Sequence, residues 1–213
     1  MDTISAIGDF ISPRITSKPI SDARRQYSPA EEFSPALIAK YYAELVSKDG
    51  KVYIATDSLL NSFERVFNWL TSPYAPNWLV LYGPPGTGKT TLIEAASQAA
   101  KACKRASPDK FTALQVNEEA KKSSLRYEAL CQDFSLALID YMGTESPQLN
   151  QYGSILTPVK TALEERYTRR LRTILTTNLG PNQIRERYGD RISDRIRDAA
   201  IIKFSGDSFR GSR

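Results

Sequence analysis

Histidine is absent from the 213-residue sequence, and cysteine occurs only twice, at Cys103 and Cys131. Without histidine there is no Ser–His–Asp triad, no imidazole general base and no His-containing zinc site. The two cysteines lie outside any CxxC spacing, which is typical of reduced thiols in a cytosolic protein. We therefore expect any bound metal to have oxygen ligands, and magnesium is the natural candidate.

Long apolar runs are also missing. A membrane span requires about 20 apolar residues, and no stretch of the sequence approaches this length. The first ten residues lack the basic and then apolar pattern of a secretory signal. Since 41% of the residues are hydrophobic and 10% aromatic, the sequence predicts a folded cytoplasmic protein without membrane contact.

Positive charge is concentrated in the C-terminal part of the chain. Residues 160–213 contain 13 Lys and Arg against 7 Asp and Glu, a net charge of +6, whereas residues 1–159 contain 16 against 17, a net charge of −1. Eleven of the 13 basic residues are Arg, whose guanidinium suits bidentate phosphate contacts. Two interpretations stay open: a surface that binds a polyanion, or ion pairs with the interleaved Asp190, Asp194 and Asp198.

The N-terminal segment is predicted to be an arm followed by a helix. Residues 1–27 are polar and show no sustained period. Ser28-Pro29 and Ser34-Pro35 are both helix-start signals, and apolar residues then recur at helical spacing until Asp49-Gly50. We interpret residues 1–50 as an N-terminal extension that binds a partner, and 51–213 as the main domain. Within that domain, 51–56 is a candidate short strand, and Asp57 or Ser58 is expected to cap the next helix.

From residue 77 onward, short apolar runs alternate with amphipathic stretches. The candidate strands are Trp78–Tyr82, Phe111–Val116, Ser135–Asp140, Leu171–Thr177 and Ala200–Phe204, with helices around 90–104, 118–131, 154–168 and 181–198. This alternation predicts an α/β fold with a five-stranded parallel sheet flanked by helices. Ligand sites in such folds lie beyond the carboxyl ends of the strands.

The strongest motif is a phosphate-binding loop. Residues 83–90 read GPPGTGKT and match the pattern G-x-x-x-x-G-K-[ST] in full, between an apolar strand and a helix. In such a loop, glycines allow backbone N–H groups to face the phosphates, and the helix N-terminus adds a favourable dipole. Lys89 is expected to contact the β- and γ-phosphates and Thr90 to bind Mg²⁺. The predicted nucleotide-binding residues are Gly83, Pro84, Pro85, Gly86, Thr87, Gly88, Lys89, Thr90 and Thr91.

Two later strands end in polar residues that complement this loop. The apolar run at 134–139 ends in Asp140, which we expect beside the loop as a second metal-binding residue. The next apolar strand ends in Asn178, whose amide is a candidate for orienting the attacking water. Asn also commonly ends strands as a turn residue. Its position supports a role at the nucleotide only because it follows the loop and Asp140 in the chain.

Together these segments resemble a known family. The blocks GPPGTGKTT, LALIDYMGTE, YGSILTPVKTALEERY, TILTTNLGPNQIRERYGDRISDRI and FSGDSFR are similar to the DnaC-type helicase loaders within the AAA+ ATPases. The similarity covers residues 77–210, and the block TTNL…RERYGDR…DR is its most family-specific part. The IstB-type helper ATPases of transposition have nearly the same motifs. The resemblance implies a P-loop AAA+ core, ATP and Mg²⁺, a replicative helicase as partner, and contact with single-stranded DNA.

The resemblance also implies roles for individual residues. Lys89 and Thr90 match the first nucleotide motif, Asp140 the second, and Asn178 the first sensor. Arg195 matches the arginine finger that reaches ATP bound by a neighbouring subunit, so a homo-oligomer is expected, and Arg191 is the alternative for that role. An ion pair of Arg195 with Asp194 or Asp198 is the competing interpretation.

Three departures from the family pattern affect the expected activity. Tyr141 replaces the usual second acidic residue, which predicts slow hydrolysis, and Glu145 is the nearest substitute carboxylate. The few residues after Phe204 predict that a C-terminal lid domain is absent. Only about one helix is expected between Val116 and Phe134, where Lys121, Lys122 and Arg126 either face DNA or are solvated charges.

The sequence thus favours an ATPase that acts as a DnaC-like helicase loader in DNA replication. One alternative is a transposition helper that binds a transposase. The other is a nucleotide-dependent switch or scaffold with little turnover, which Tyr141 makes credible.

Overall fold

The computed structural model describes residues 32–50, 52–151 and 153–205. Its centre is a five-stranded parallel sheet in the order β2-β3-β6-β1-β7. In chain order these strands are β1 (Trp78–Tyr82), β2 (Asp109–Thr112), β3 (Leu136–Met142), β6 (Arg172–Thr177) and β7 (Ala200–Lys203). A separate antiparallel hairpin pairs β4 (Leu149–Gln151) with β5 (Ser154–Leu156). The predicted five-stranded α/β fold is confirmed.

Helices cover both faces of the sheet. They are α1 (Pro35–Lys48), α2 (Asp57–Thr71), α3 (Lys89–Ala102), α4 (Ala113–Lys121), α5 (Leu125–Gln132), α6 (Pro158–Thr168), α7 (Pro181–Tyr188) and α8 (Asp190–Arg197). None of the described helices is long and apolar enough to cross a lipid bilayer.

The apolar strand sequences follow from burial on both faces. In β1, Leu79 and Leu81 pack into a core with α1, α2 and α3, whereas Trp78 and Val80 pack into a second core on the opposite face. Successive side chains of a strand point to opposite faces, so a strand between two helical layers must be apolar at every position. This places the carboxyl ends of β1, β3 and β6 side by side at one edge of the sheet.

Helix α1, which lies before the predicted boundary at residue 50, packs into the core on one face of the sheet. Ser34 caps the helix, since its hydroxyl accepts a hydrogen bond from the Leu37 N–H at 3.2 Å. Ile38 is fully buried in the core that α1 shares with α2 and α3. The compact unit that contains the sheet begins at residue 31. The other predicted helix start, Ser28, lies outside the described residues.

Several predicted element boundaries were wrong for local reasons. Residues 52–56 form no strand, and Thr56 rather than Asp57 or Ser58 caps α2. The strand predicted at 111–116 ends at Thr112, because a capping box between Thr112 and Gln115 starts α4 there. Two short helices, α4 and α5, therefore replace the single expected helix.

Two further differences lie between α5 and β7. The hairpin of β4 and β5 was not predicted, and it occupies the start of the stretch expected to be helical from 154. The helix predicted at 181–198 is divided at Gly189, whose φ of 87° ends α7 before α8 begins.

A candidate nucleotide site at the carboxyl edge of the sheet

A pocket of about 680 Å³ lies where β1, β3 and β6 end. Seven of the predicted site residues line it together with Tyr141: Pro85, Gly86, Gly88, Lys89, Thr90, Thr91 and Asn178. The rest of the lining comes from α1, from Asp49 and from residues 52–59. The position agrees with the rule that ligands bind beyond the carboxyl ends of parallel strands.

The phosphate-binding loop is held in a closed turn by its own residues. The Lys89 Nζ donates to the carbonyls of Gly83 at 2.8 Å and Pro84 at 2.7 Å, and the Thr87 hydroxyl donates to Pro84 at 2.9 Å. Helix α3 begins at Lys89, so its first N–H groups face the loop. Lys89 is 93% buried, and a phosphate entering the loop would offer its ammonium stronger acceptors than the two carbonyls.

Glycine is required at two loop positions. Gly88 has a φ of +90°, and a Cβ built there would lie 2.3 Å from the hydroxyl oxygen of Tyr42 on α1. A Cβ at Gly83 would lie 2.2 Å from the carbonyl oxygen of Phe204. The loop is therefore wedged between α1 and the end of β7, and a side chain at either position would displace it.

Asp140 lies beside the loop, as expected from its motif. Its carboxylate is 94% buried, and its Oδ1 accepts hydrogen bonds from the Thr90 hydroxyl at 3.0 Å and from the Thr176 hydroxyl. A hydroxyl and a carboxylate at this distance are oxygen ligands that suit a hard cation such as Mg²⁺. Among the described residues, no three His, Cys, Asp or Glu side chains come together, so phosphate and water oxygens would have to complete the coordination.

Tyr141 adopts a strained backbone conformation at the edge of the pocket. Its φ is 59°, a left-handed value that is unusual for a bulky residue, and a bulge interrupts the pairing of β3 with β6 at this point. Its N–H donates to the Thr176 hydroxyl at 3.0 Å, and its side chain is 41% exposed toward the pocket. A phenol therefore occupies the position at which the resemblance expects a carboxylate.

Asn178 follows β6 directly and its exposed side chain lines the pocket. The preceding Thr177 is buried, and its hydroxyl donates to the Met142 carbonyl at 2.7 Å and accepts from the Leu179 N–H at 3.1 Å. These two bonds anchor the turn that presents Asn178. Its proposed part in orienting water stays a prediction.

Glu145 lies in a buried hydrogen-bond network and does not line the pocket. Its carboxylate accepts hydrogen bonds from the Gly143 N–H at 2.9 Å, from Arg187 Nε at 3.4 Å and from the Tyr188 hydroxyl. Burial, followed by the hydrogen bond to Glu145, raises the pKa of Tyr188, so its phenol remains a donor. Glu145 is 96% buried and is not among the residues that line the pocket, and these contacts favour a structural role that joins the β3–β4 turn to α7.

Arg195 lies at the opposite edge of the sheet. It lines a second cavity, of about 440 Å³, together with Trp78 at the start of β1, whereas the phosphate loop follows the end of β1. Five residues of strand separate the two, roughly 16 Å. Its guanidinium carbon lies 4.1 Å from the Tyr167 ring centroid, and its buried Nη1 has no hydrogen-bond partner in the described part of the chain. Arg195 thus cannot reach the loop of its own subunit, while Arg191 is exposed.

The comparison with protein-family models decides the family. Residues 79–198, which include the loop, Asp140, Asn178 and Arg195, match the model of the ATPase family associated with various cellular activities (AAA). The chain belongs to the AAA ATPase family. The resemblance found in the sequence is thereby confirmed at this level. No protein of curated function matches the chain.

Several solved structures have the same fold as this chain. DnaI superposes with a TM-score of 0.56 at 22% identity, covering 76% of this chain and 89% of that one. The DnaC helicase loader superposes with a TM-score of 0.56 at 18% identity, and the match covers 72% of this chain and 93% of that one. AMPPCP-bound DnaA from Aquifex aeolicus gives 0.55 at 22% identity, but the match covers 84% of this chain and 54% of DnaA.

The AAA site includes residues that the sequence pattern did not reveal. Tyr42, Val46 and Tyr53 also line the pocket, with the exposed apolar side chains of Val52 and Ile54. Burial, with a smaller contribution from Tyr53, raises the pKa of Tyr42 to about 12. This apolar wall suits a nucleobase, whereas the helical spacing of α1 alone predicts only an amphipathic helix. Nothing local in the sequence relates it to the loop.

Proposed function

We propose that this AAA protein is an ATP-dependent helicase loader that acts in DNA replication. The observation that carries the proposal is the extent of the fold match. The DnaI and DnaC structures are covered almost completely by this chain, at 89% and 93%, whereas the DnaA structure is covered by about half.

ATP would occupy the pocket with its phosphates in the loop. The loop N–H groups and Lys89 would bind the phosphates, while Thr90 and Asp140 would hold Mg²⁺. The base would lie against Tyr53, Val52 and Ile54. Bound Mg²⁺ supplies positive charge that offsets charge on the phosphates. Arg195 would complete the site of a neighbouring subunit, which makes assembly and nucleotide binding interdependent.

The proposal includes contact with single-stranded DNA through basic residues that ion pairs do not occupy in the described part of the chain. Arg126 stacks on Phe111, with its guanidinium carbon 4.6 Å from the ring centroid, and Lys122 lies 4.0 Å from Glu119. In the C-terminal part, Arg197 pairs with Asp194 at 2.9 Å and Arg185 pairs with Asp190. Ion pairs therefore account for part of the positive charge, and Lys121 and Arg191 are the exposed residues we propose for the DNA surface.

The proposed partner can be tested directly. The full chain, immobilised and saturated with AMPPCP and Mg²⁺, is exposed to the purified replicative helicase and, separately, to a purified transposase from the same organism. Retention of the helicase, dependent on nucleotide, is the expected result. Retention of the transposase alone would overturn the loader proposal in favour of the transposition helper, which remains the rival because its motifs are nearly the same.

Tyr141 allows a test of whether the protein is built as a switch. Replacing Tyr141 by Glu should raise the rate of ATP hydrolysis about 10-fold or more, because a carboxylate polarises an attacking water and a phenol does not. The rate is measured as phosphate release at saturating ATP, with nucleotide affinity recorded in parallel.

Tyr141→Phe is the matched control, since it keeps the ring and the left-handed backbone without adding a carboxylate. It should leave the rate unchanged within about twofold. A Tyr141→Glu protein that binds ATP normally and hydrolyses it no faster than wild type would show that the residue at this position does not limit turnover.

A further inference from the structure

We propose that Thr176 is a positioning residue for Asp140, so that magnesium-dependent nucleotide binding depends on its hydroxyl. The inference rests on the nucleotide-binding role proposed for the pocket, but not on the identity of any protein partner or on DNA contact. Thr176 lies on β6 next to β3 and was not among the residues predicted for the site.

The Thr176 hydroxyl joins two consecutive groups of β3. It donates a hydrogen bond to Asp140 Oδ1 and accepts one from the Tyr141 N–H at 3.0 Å. A hydroxyl has one donor and two acceptor positions, so both bonds can form together. Thr176 is 99% buried, which limits the competition of water for either bond.

The bond to Tyr141 occurs where the strand pairing is irregular. The regular register of β3 with β6 stops at Ile139 and resumes at Met142, and Tyr141 between them is left-handed. In a regular ladder the Tyr141 N–H would have a backbone partner. Here the side chain of Thr176 supplies that partner. The same hydroxyl therefore stabilises the bulge and orients the carboxylate that precedes it.

Among the described residues, Thr176 is the one whose bond to Asp140 can persist once the nucleotide and metal are bound. In the structure, Asp140 Oδ1 also accepts a bond from Thr90 at 3.0 Å, but the Thr90 hydroxyl is the group expected to turn toward Mg²⁺. Within the described part of the chain, Oδ2 receives no hydrogen bond. Thr176 thus holds one oxygen in place and leaves the other to face the metal or its water.

Residues that orient metal ligands in this way have measurable effects. Removing such an outer partner typically lowers metal affinity about 10- to 100-fold. Thr176→Val removes the hydroxyl with almost no change of shape, whereas Thr176→Ser keeps it. Valine would also leave the Tyr141 N–H without its partner, so a loss of stability is expected in addition.

Thr177 is the matched control, because it is equally buried on the same strand and its hydroxyl does not contact Asp140. Both residues are 99% buried and adjacent on β6. The Thr177 hydroxyl bonds to the backbone at Met142 and Leu179 and not to Asp140. Thr177→Val should therefore cost stability comparably without changing the effect of magnesium.

The experiment measures AMPPCP affinity of the full chain by calorimetry, once with MgCl₂ and once with EDTA. The ratio of the two affinities is compared between wild type, Thr176→Val, Thr176→Ser and Thr177→Val, after circular dichroism has verified folding. Binding of Mn²⁺ to each AMPPCP complex, followed by the loss of the free-ion electron paramagnetic resonance signal, gives a second readout that involves no turnover.

We call the ratio of the AMPPCP affinity in MgCl₂ to that in EDTA the magnesium enhancement. We expect Thr176→Val to lower this enhancement about 10-fold, with the affinity in EDTA unchanged. Thr176→Ser should retain the wild-type enhancement. An unchanged enhancement in Thr176→Val, or an equal loss in Thr177→Val, would overturn the proposal. So would a wild-type protein that binds AMPPCP equally well with and without magnesium. A wild-type protein that binds no nucleotide would overturn the proposed ATP-dependent function as well, which makes the two failures distinguishable.

Discussion

Replacing Lys89 by Ala is expected to weaken ATP binding by roughly 100-fold or more. Lys89 is the cation of the loop, and each hydrogen bond to a charged group contributes about 1.5–3 kcal/mol. The loss of two such bonds to phosphate corresponds to at least two orders of magnitude in the dissociation constant. Isothermal titration calorimetry with AMPPCP and Mg²⁺ measures this change in the dissociation constant.

The control for this variant comes from the other end of the same helix. Lys101 lies in the last turn of α3 and is exposed. Lys101→Ala removes the same charge and should leave the affinity within about twofold. Because Lys89 also binds the carbonyls of Gly83 and Pro84, the thermal midpoint of Lys89→Ala is recorded to separate loop destabilisation from lost phosphate contact. An unchanged nucleotide affinity in folded Lys89→Ala would refute the ATPase interpretation.

The second large effect concerns Arg195. Arg195→Ala should retain ATP binding to isolated subunits but lose ATP-driven assembly, and its hydrolysis rate should fall roughly 1000-fold, in the range known for arginine fingers. The reason is its position: Arg195 lies beside Trp78 at the amino edge of the sheet and can act only on ATP held by another subunit. Analytical ultracentrifugation with and without AMPPCP, together with phosphate release, measures both effects.

Mixing two inactive variants tests the action between subunits. Lys89→Ala subunits retain Arg195, and Arg195→Ala subunits retain Lys89, so some mixed interfaces combine both intact residues. Part of the wild-type activity should return on mixing. If the variants associate and the mixture stays inactive while wild type turns over ATP, the action in trans is wrong.

Arg191→Ala distinguishes the two candidate arginines. Arg191 is exposed on α8, whereas Arg195 is half-buried against Tyr167. If Arg191→Ala abolishes assembly and Arg195→Ala does not, the finger is Arg191, and the contact with Tyr167 is the whole role of Arg195. A contact of this kind contributes about 0.5–2 kcal/mol to stability, which a thermal scan of Arg195→Ala resolves.

Much of the fold and the centre of the site could be predicted from local sequence signals. The loop at 83–90 occupies consecutive positions, and its flanking strand and helix begin and end close to where the apolar pattern places them. Asp140 lies near the carboxyl end of β3 and Asn178 directly follows β6, and parallel strands bring their carboxyl ends to one edge. These inferences need only neighbouring residues and one topological rule.

Short-range signals that compete with each other produced the wrong boundaries. Phe111–Val116 has the composition of a strand, but the capping box at Thr112 and Gln115 starts a helix inside it. At Gly189 the apolar helical period continues across a residue whose left-handed φ interrupts the helix. In both cases a hydrogen-bonding or backbone preference at one residue outweighs a pattern spread over several.

By itself, then, the sequence determined the α/β class, the phosphate loop and the strand ends that face it. The tertiary structure alone decided which distant side chains complete the site. Tyr42 closes behind Gly88, Thr176 orients Asp140, and Glu145 is drawn into a network with Arg187 and Tyr188. The members of each contact lie more than 35 residues apart in the chain. Such contacts depend on how helices and strands pack, and no periodicity or motif in one segment records the partner that folding brings against it.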